Sequence, residues 1–143
     1  MNVEFILRNK GRNVITIGPD AKVVAAVALL RRHGIGALVV SKDGRSVDGI
    51  LSERDIVHAL ADHGDRVLGL DVVQLMSRRV ITCKFSDSIA DLMALMTDRR
   101  IRHIPVVEGG ALAGIISIGD VVKNRLDEVE SEATSMREFI AGA

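Results

Sequence analysis

Gly49 to Val57 reads GILSERDIV and Gly114 to Val122 reads GIISIGDVV, and the fold follows from these two stretches being one phrase written twice. Each passes from Gly through two aliphatic residues to Ser, then places Asp three positions on, ahead of an apolar pair. That pattern sets a strand directly before the first turn of a helix. Two chemistries suit such a junction. The free N–H groups of a helix start attract an anion, the Ser hydroxyl points at the same turn, and the Asp carboxylate offers two acceptor oxygens to a ribose diol. Equally, S-x-x-D before an apolar run is a capping box whose whole task is to start the helix. Taken singly the motif reads best as a cap; its duplication shifts weight towards a site.

A chain of 143 residues buries one sizeable core, or two half-sized units that are stable only against each other. Hydrophobic residues make up 48%, which excludes disorder. Lysine plus arginine (19) equals aspartate plus glutamate (19), so no global field favours nucleic acid or an anionic membrane. The longest apolar run, Val23 to Leu30, is too short to cross a bilayer, and Glu4 and Arg8 fall where a secretory signal needs an apolar core. A soluble, cytoplasmic protein without membrane attachment is expected. Cys83 is the single cysteine, so no internal disulfide can form, and it reads as a small core residue. With no Trp or Tyr and three Phe, the chain lacks the stacking platforms of single-strand nucleic-acid binders.

Outward from the first phrase, the spacing predicts a short helical turn over Val3 to Arg8, a polar loop, and a strand over Val14 to Ile17. A helix follows with Val23, Ala26, Val27 and Leu30 as its buried stripe, ending at Gly34; then come a fully covered strand Ala37 to Val40, a strand Val47 to Leu51, and a helix to about Asp62. After a linker at Gly64 to Gly69 the unit restarts. Val14 falls on Val80 and Val40 on Val106, a gap-free offset of 66, and one residue is then lost so that Ser52 and Asp55 fall on Ser117 and Asp120. The second copy carries a strand at Val80-Ile81-Thr82, a helix with Ile89, Leu92, Met93 and Met96 inward, and a strand at Ile104 to Val107. Two copies are too few for a solenoid, so face-to-face pairing is expected.

This repeat, with its strand order and terminal Gly-apolar-apolar-Ser-x-x-Asp junction, resembles a stand-alone tandem pair of cystathionine beta-synthase (CBS) domains over about residues 3 to 130. The resemblance implies an α/β (α+β) fold of two pseudo-twofold strand-helix-strand-strand-helix repeats packed sheet to sheet. Residues 1–67 would form the first repeat, and 68–143 the second with a C-terminal helical extension. It further implies two clefts for adenine nucleotides or related adenosyl ligands: AMP foremost, with ADP, ATP, NAD(H) or S-adenosylmethionine as alternatives. Two such pairs would associate.

Carried over residue by residue, the resemblance gives Asp120 and Asp55 the ribose hydroxyls of the two clefts, with Ser117 and Ser52 near ribose or phosphate. Thr82 and Thr16 would add hydroxyls, and backbone around Arg102, His103, Ile104 and Pro105, with its counterpart from Gly36 through Ala37 to Val39, would address the base. Arg54 and Lys10 are the candidate phosphate partners, since guanidinium–phosphate contacts are charge-assisted. The second copy has Ile118-Gly119 in place of Glu53-Arg54, so the two sites should treat phosphate differently. Arg99, Arg100, Arg102 and His103 form a basic cluster at the mouth of the second strand. None of His33, His58, His63 and His103 makes a metal set, and no nucleophile–base constellation or phosphate-binding glycine loop is present.

The expected function is therefore a non-enzymatic module that senses adenine nucleotides and modulates a separate, unidentified protein. The alternatives are an interaction scaffold with vestigial clefts and, least favoured, a nucleic-acid binder. Beyond the repeat, Val122, Leu126, Val129, Ala133, Met136 and Ile140 are spaced four and three alternately, an a/d seam on one helix running to about Ile140. Its far half is expected to pack on a second chain in a homodimer.

Overall fold

The structure is a computed structural model describing residues 1–142. The chain runs through α1 (Val3–Lys10), β1 (Thr16–Ile17), α2 (Val23–His33), β2 (Ala37–Val40), β3 (Gly49–Ser52) and α3 (Glu53–His63). A 3-10 turn (Gly64–Gly69) leads to α4 (Val72–Leu75), α5 (Ile89–Arg99), β4 (His103–Glu108), β5 (Ala111–Ser117) and α6 (Ile118–Gly142). The mixed α/β class expected from the sequence is the class found. In the first sheet β1 lies parallel to β2 and β2 antiparallel to β3; in the second, β4 and β5 are antiparallel.

The strand expected at Val80-Ile81-Thr82 does not form. A single parallel bridge joins Cys83 to Val106, in the register of Ile17 with Val40 in the first sheet. Extending that pairing one step, as Thr16 pairs with Val39, requires an amide proton from the second position. Pro105 stands there and has none, so the chain before Cys83 leaves the sheet. Two helix-stripe expectations also need correction: Val27 and Met93, equivalent positions 66 apart, are over a third exposed. Val23, Ala26 and Leu30, like Ile89, Leu92 and Met96, already fill the inward face, and the extra residue sits at its margin.

Each core takes in a helix from the other half of the chain. Val3, Ile6 and Leu7 of α1 pack with Cys83, Ile89, Leu92, Met96, Ile104, Val106, Ile116 and Val121, while Val72 and Met76 pack with Ile17, Ala26, Leu30, Leu38, Val40 and Leu51. The exchange is symmetric. The Val3 N–H donates to the Asp87 carbonyl and the Val72 N–H to the Ala21 carbonyl, and isolated bridges link Asn2 to Ser88 and Asp71 to Lys22. The motif glycines exist for this exchange. A Cβ on Gly114 would stand 2.8 Å from Leu7 Cδ2, and one on Gly49 would stand 2.5 Å from Met76 Sδ and 2.9 Å from the Ser77 carbonyl oxygen.

Leu38 and Val40 point into the first core, yet Ala37 and Val39 on the opposite face of β2 are buried too, as is Pro105 in β4. This covered face is where the repeats meet, and the Leu112 N–H donates across to the Arg45 carbonyl at 2.7 Å.

Candidate functional site

Both S-x-x-D junctions form the reciprocal cap that their spacing allows. Ser52 Oγ accepts from the Asp55 N–H at 3.3 Å, and Asp55 Oδ2 accepts from the Ser52 N–H at 2.8 Å and its hydroxyl at 3.0 Å. Ser117 Oγ accepts from the Asp120 N–H at 3.2 Å, and Asp120 Oδ2 from the Ser117 N–H at 2.8 Å. The Glu53 N–H donates to the Gly36 carbonyl, and the Ile118 N–H to the Arg102 carbonyl. Capping thus uses one oxygen of each carboxylate. Oδ1 of Asp55 and of Asp120 accepts from no group among the described residues, so the cap reading and the ligand reading of the motif are compatible.

The two junctions then differ. Around the first lies a cleft of about 530 Å³, walled by Gly36, Ile50, Ser52, Glu53, Arg54, Asp55 and Val57 from the first repeat. Ser77, Arg79, Val80, Ile81, Arg100, Ile101, Arg102 and His103 close it from the second. Four arginines and two acidic residues, Glu53 and Asp55, are among its walls, so the lining is net positive and otherwise largely apolar. At the second junction Lys10 Nζ donates to Asp120 Oδ2 at 2.6 Å and to the Ile115 carbonyl at 2.9 Å. Burial pushes the Asp120 carboxyl up, but the hydrogen bonds from Lys10 and Ser117 and the lysine's charge outweigh it and hold it below the usual range.

Of the residues singled out in the sequence, Ser52, Arg54, Asp55, Arg102 and His103 line this cleft. Lys10, Ser117 and Asp120 form a constellation of their own at the second junction. Ala37, Ile104 and Pro105 are buried in strands, Thr16 sits in β1, and Thr82 follows the wall residue Ile81 without being a wall itself. The motif of the first repeat is therefore set against the strand mouth of the second. His103 is half-buried, with its imidazole against Gly36 and beside the Glu53 carboxylate. Burial lowers its pKa more than the charge of Glu53 raises it, so the ring is neutral at pH 7.

Arg79 was not foreseen as a wall; its sequence mark is that it directly precedes the segment that Pro105 releases from the sheet. Arg100 carries a clearer mark. It ends α5 at φ 53, the left-handed conformation that its equivalent in the first repeat, Gly34, adopts at φ 61. A side chain held there costs about 1 kcal/mol or more relative to Gly. The chain keeps an arginine at this strained position, on the cleft wall. Among the described residues no cluster of metal-ligating side chains occurs, and no helix is long and apolar enough to cross a membrane.

Two segments, residues 10–62 and 71–127, match the CBS domain family. The chain is 32% identical over 148 aligned positions to the CBS domain-containing protein CBSX3, mitochondrial, of Arabidopsis thaliana, covering 98% of this chain and 72% of the relative. It superposes on the CBS-domain containing protein ATU1752 of Agrobacterium tumefaciens with a TM-score of 0.84 at 47% identity, over 87% of this chain and 99% of that one. The CBS domain pair of protein MJ0100, in complex with 5′-methylthioadenosine and S-adenosyl-L-methionine, superposes with a TM-score of 0.77 over 86% of this chain and 98% of that one. Its 24% identity bears on the fold alone.

Proposed function

This chain belongs to the CBS domain family, and we propose that it is a regulatory module that binds one adenine nucleotide between its two repeats and conveys occupancy to a separate protein. The observation that carries this is the cleft where Ser52, Arg54 and Asp55 of the first repeat lie opposite Arg79, Arg100 and Arg102 of the second. Asp55 Oδ1, unused by the cap, would accept the ribose hydroxyls, and the guanidiniums would neutralise phosphate. Ile50, Val57, Val80, Ile81 and Ile101 offer the base an apolar surface. AMP, ADP, ATP and NAD(H) share these groups; S-adenosylmethionine has the ribose but no phosphate, and makes the poorest use of four arginines.

Because the ligand touches both repeats, it would favour the relative arrangement in which both walls reach it, which is the differential affinity that a conformational signal needs. At the second junction the scaffold reading is favoured instead: Oδ1 of Asp120 is free there too among the described residues, but Lys10 offsets the carboxylate charge that a grip on ribose would use. One ligand per chain is the expected stoichiometry. Calorimetric titration with AMP, ADP, ATP, NAD(H) and S-adenosylmethionine tests the proposal: a one-to-one isotherm with a phosphorylated ligand supports it, and no heat from any of them overturns it.

A further inference from the structure

Helix α6 outruns the body that it starts from. Its buried residues are Val121 and Asn124, Glu128 is half-covered, and every described residue from 129 onward is exposed. More than three turns of helix thus project without a partner, although an isolated segment of that length is marginal in water. The projecting part carries an apolar seam: Val122, Leu126, Val129, Ala133, Met136 and Ile140, with Met136 62% and Ile140 69% exposed. At about 100° per residue the seam lies roughly a third of a turn from the side that touches the body, so its own fold does not cover it.

With Leu126, Ala133 and Ile140 at a and Val122, Val129 and Met136 at d, the residues flanking the seam are Lys123, Glu130 and Arg137 at e and Arg125, Glu132 and Phe139 at g. In a parallel pair each g faces the e of the next heptad in the other helix. Arg125 then meets Glu130 of the second copy, and Glu132 meets Arg137 of the second copy, each pair occurring twice by symmetry. The antiparallel register that uses all six seam residues sets Glu130 against Glu130, Glu132 against Glu132, and Lys123 against Arg137. Only the parallel arrangement alternates sign throughout. Arg125 also bonds Glu128 within its own chain at 3.0 Å, and a guanidinium has donors enough for both.

We infer that the distal half of α6 pairs with α6 of a second copy as a parallel, in-register two-stranded coiled coil. The 143-residue chain is then a dimer with its two bodies at the same end of a short shaft. This is independent of what the cleft binds.

Light scattering and sedimentation of the 143-residue chain supply the test. Arg137→Glu should weaken the dimer on the order of tenfold, and adding Glu132→Arg should restore it, because the pair is rebuilt with its signs exchanged. Both positions lie beyond every buried residue, so the fold is not at risk. Met136→Cys should oxidise to a disulfide-linked dimer with itself; the native Cys83 does not compete, being buried with its thiol pushed up to about 12. A monomer at tens of micromolar, dimerisation undiminished by truncation after Val129, or cross-linking of Met136→Cys only to Leu126→Cys would each overturn the inference.

Discussion

Lys10 and Asp120, 110 residues apart, meet at 2.6 Å, so the carboxylate that closes the second capping box is also the anchor of the first helix. The pair ties α1 to the start of α6, beside the core in which α1 is packed. Asp120 is held below its unfolded pKa, and the sign of the linkage follows. Its contribution is complete above about pH 4 and is lost as pH falls through the folded value. Lys10→Met should cost about 1 kcal/mol or less at pH 7, and the deficit should shrink as pH falls below about 4, where Asp120 is protonated in both proteins. Urea melts between pH 2.5 and 7 measure this; superimposable pH profiles for the two proteins would remove Lys10 as the cause.

Asp55→Asn separates capping from binding. Asp55 is the third residue of the helix, and an Asn there keeps an amide oxygen to accept from the Ser52 N–H, so stability should change by less than about 1 kcal/mol. A charge-assisted grip on ribose is lost, so nucleotide affinity should fall by roughly ten- to a hundredfold. Asp120→Asn, outside the cleft, should leave affinity unchanged. If calorimetry gives the opposite ranking, the binding motif is the second one.

Arg100→Gly should stabilise the protein while weakening it as a receptor. Relief of the left-handed side chain gains about 1 kcal/mol or more, partly offset by the freer unfolded chain. Loss of the guanidinium should reduce affinity for ADP or ATP more than for adenosine. Thermal melts together with titrations of the three ligands show whether the two effects separate in this way; equal losses for all three would mean that Arg100 does not meet phosphate.

The two motif glycines should differ in tolerance. Gly114→Ala meets only the Leu7 side chain, which can move, and Leu7→Val in the same chain should recover part of the loss. Gly49→Ala also meets the Ser77 carbonyl oxygen, which is tied by its bond to the Ile50 N–H, and should cost about 1 to 3 kcal/mol more than its counterpart allows after relaxation. Denaturant midpoints of the three variants give the ranking.

What the sequence made legible was local or periodic. The doubled phrase, the offset of 66, the end of α2 at Gly34 and the length of α6 each depend on a few neighbouring residues whose chemistry dictates one conformation. The missing strand before Cys83 was within reach, since Pro105 was visible, but its effect falls on a segment more than twenty residues earlier through a register that only folding defines. The same holds for the cleft. Arg54 and Asp55 were marked by their motif, whereas Arg79 became a wall because that strand failed to form. Lys10 read as a phosphate partner because its loop is basic, and nothing near it in the sequence announces Asp120.

The exchange of α1 and α4 has a consequence for how the chain comes to be folded. Helix α1 is made well before the rest of its core, since it carries Val3, Ile6 and Leu7, whose partners extend to Val121. At about 5 to 20 residues per second, the helix waits some seconds with its apolar face uncovered, a span in which a nascent chain is open to chaperones. The first core, by contrast, is complete once Met76 has been made, so it can form while the second is still being translated. A cut in the Gly64–Gly69 turn would then not release two self-sufficient halves, since each fragment would carry away a helix that the other's interior requires.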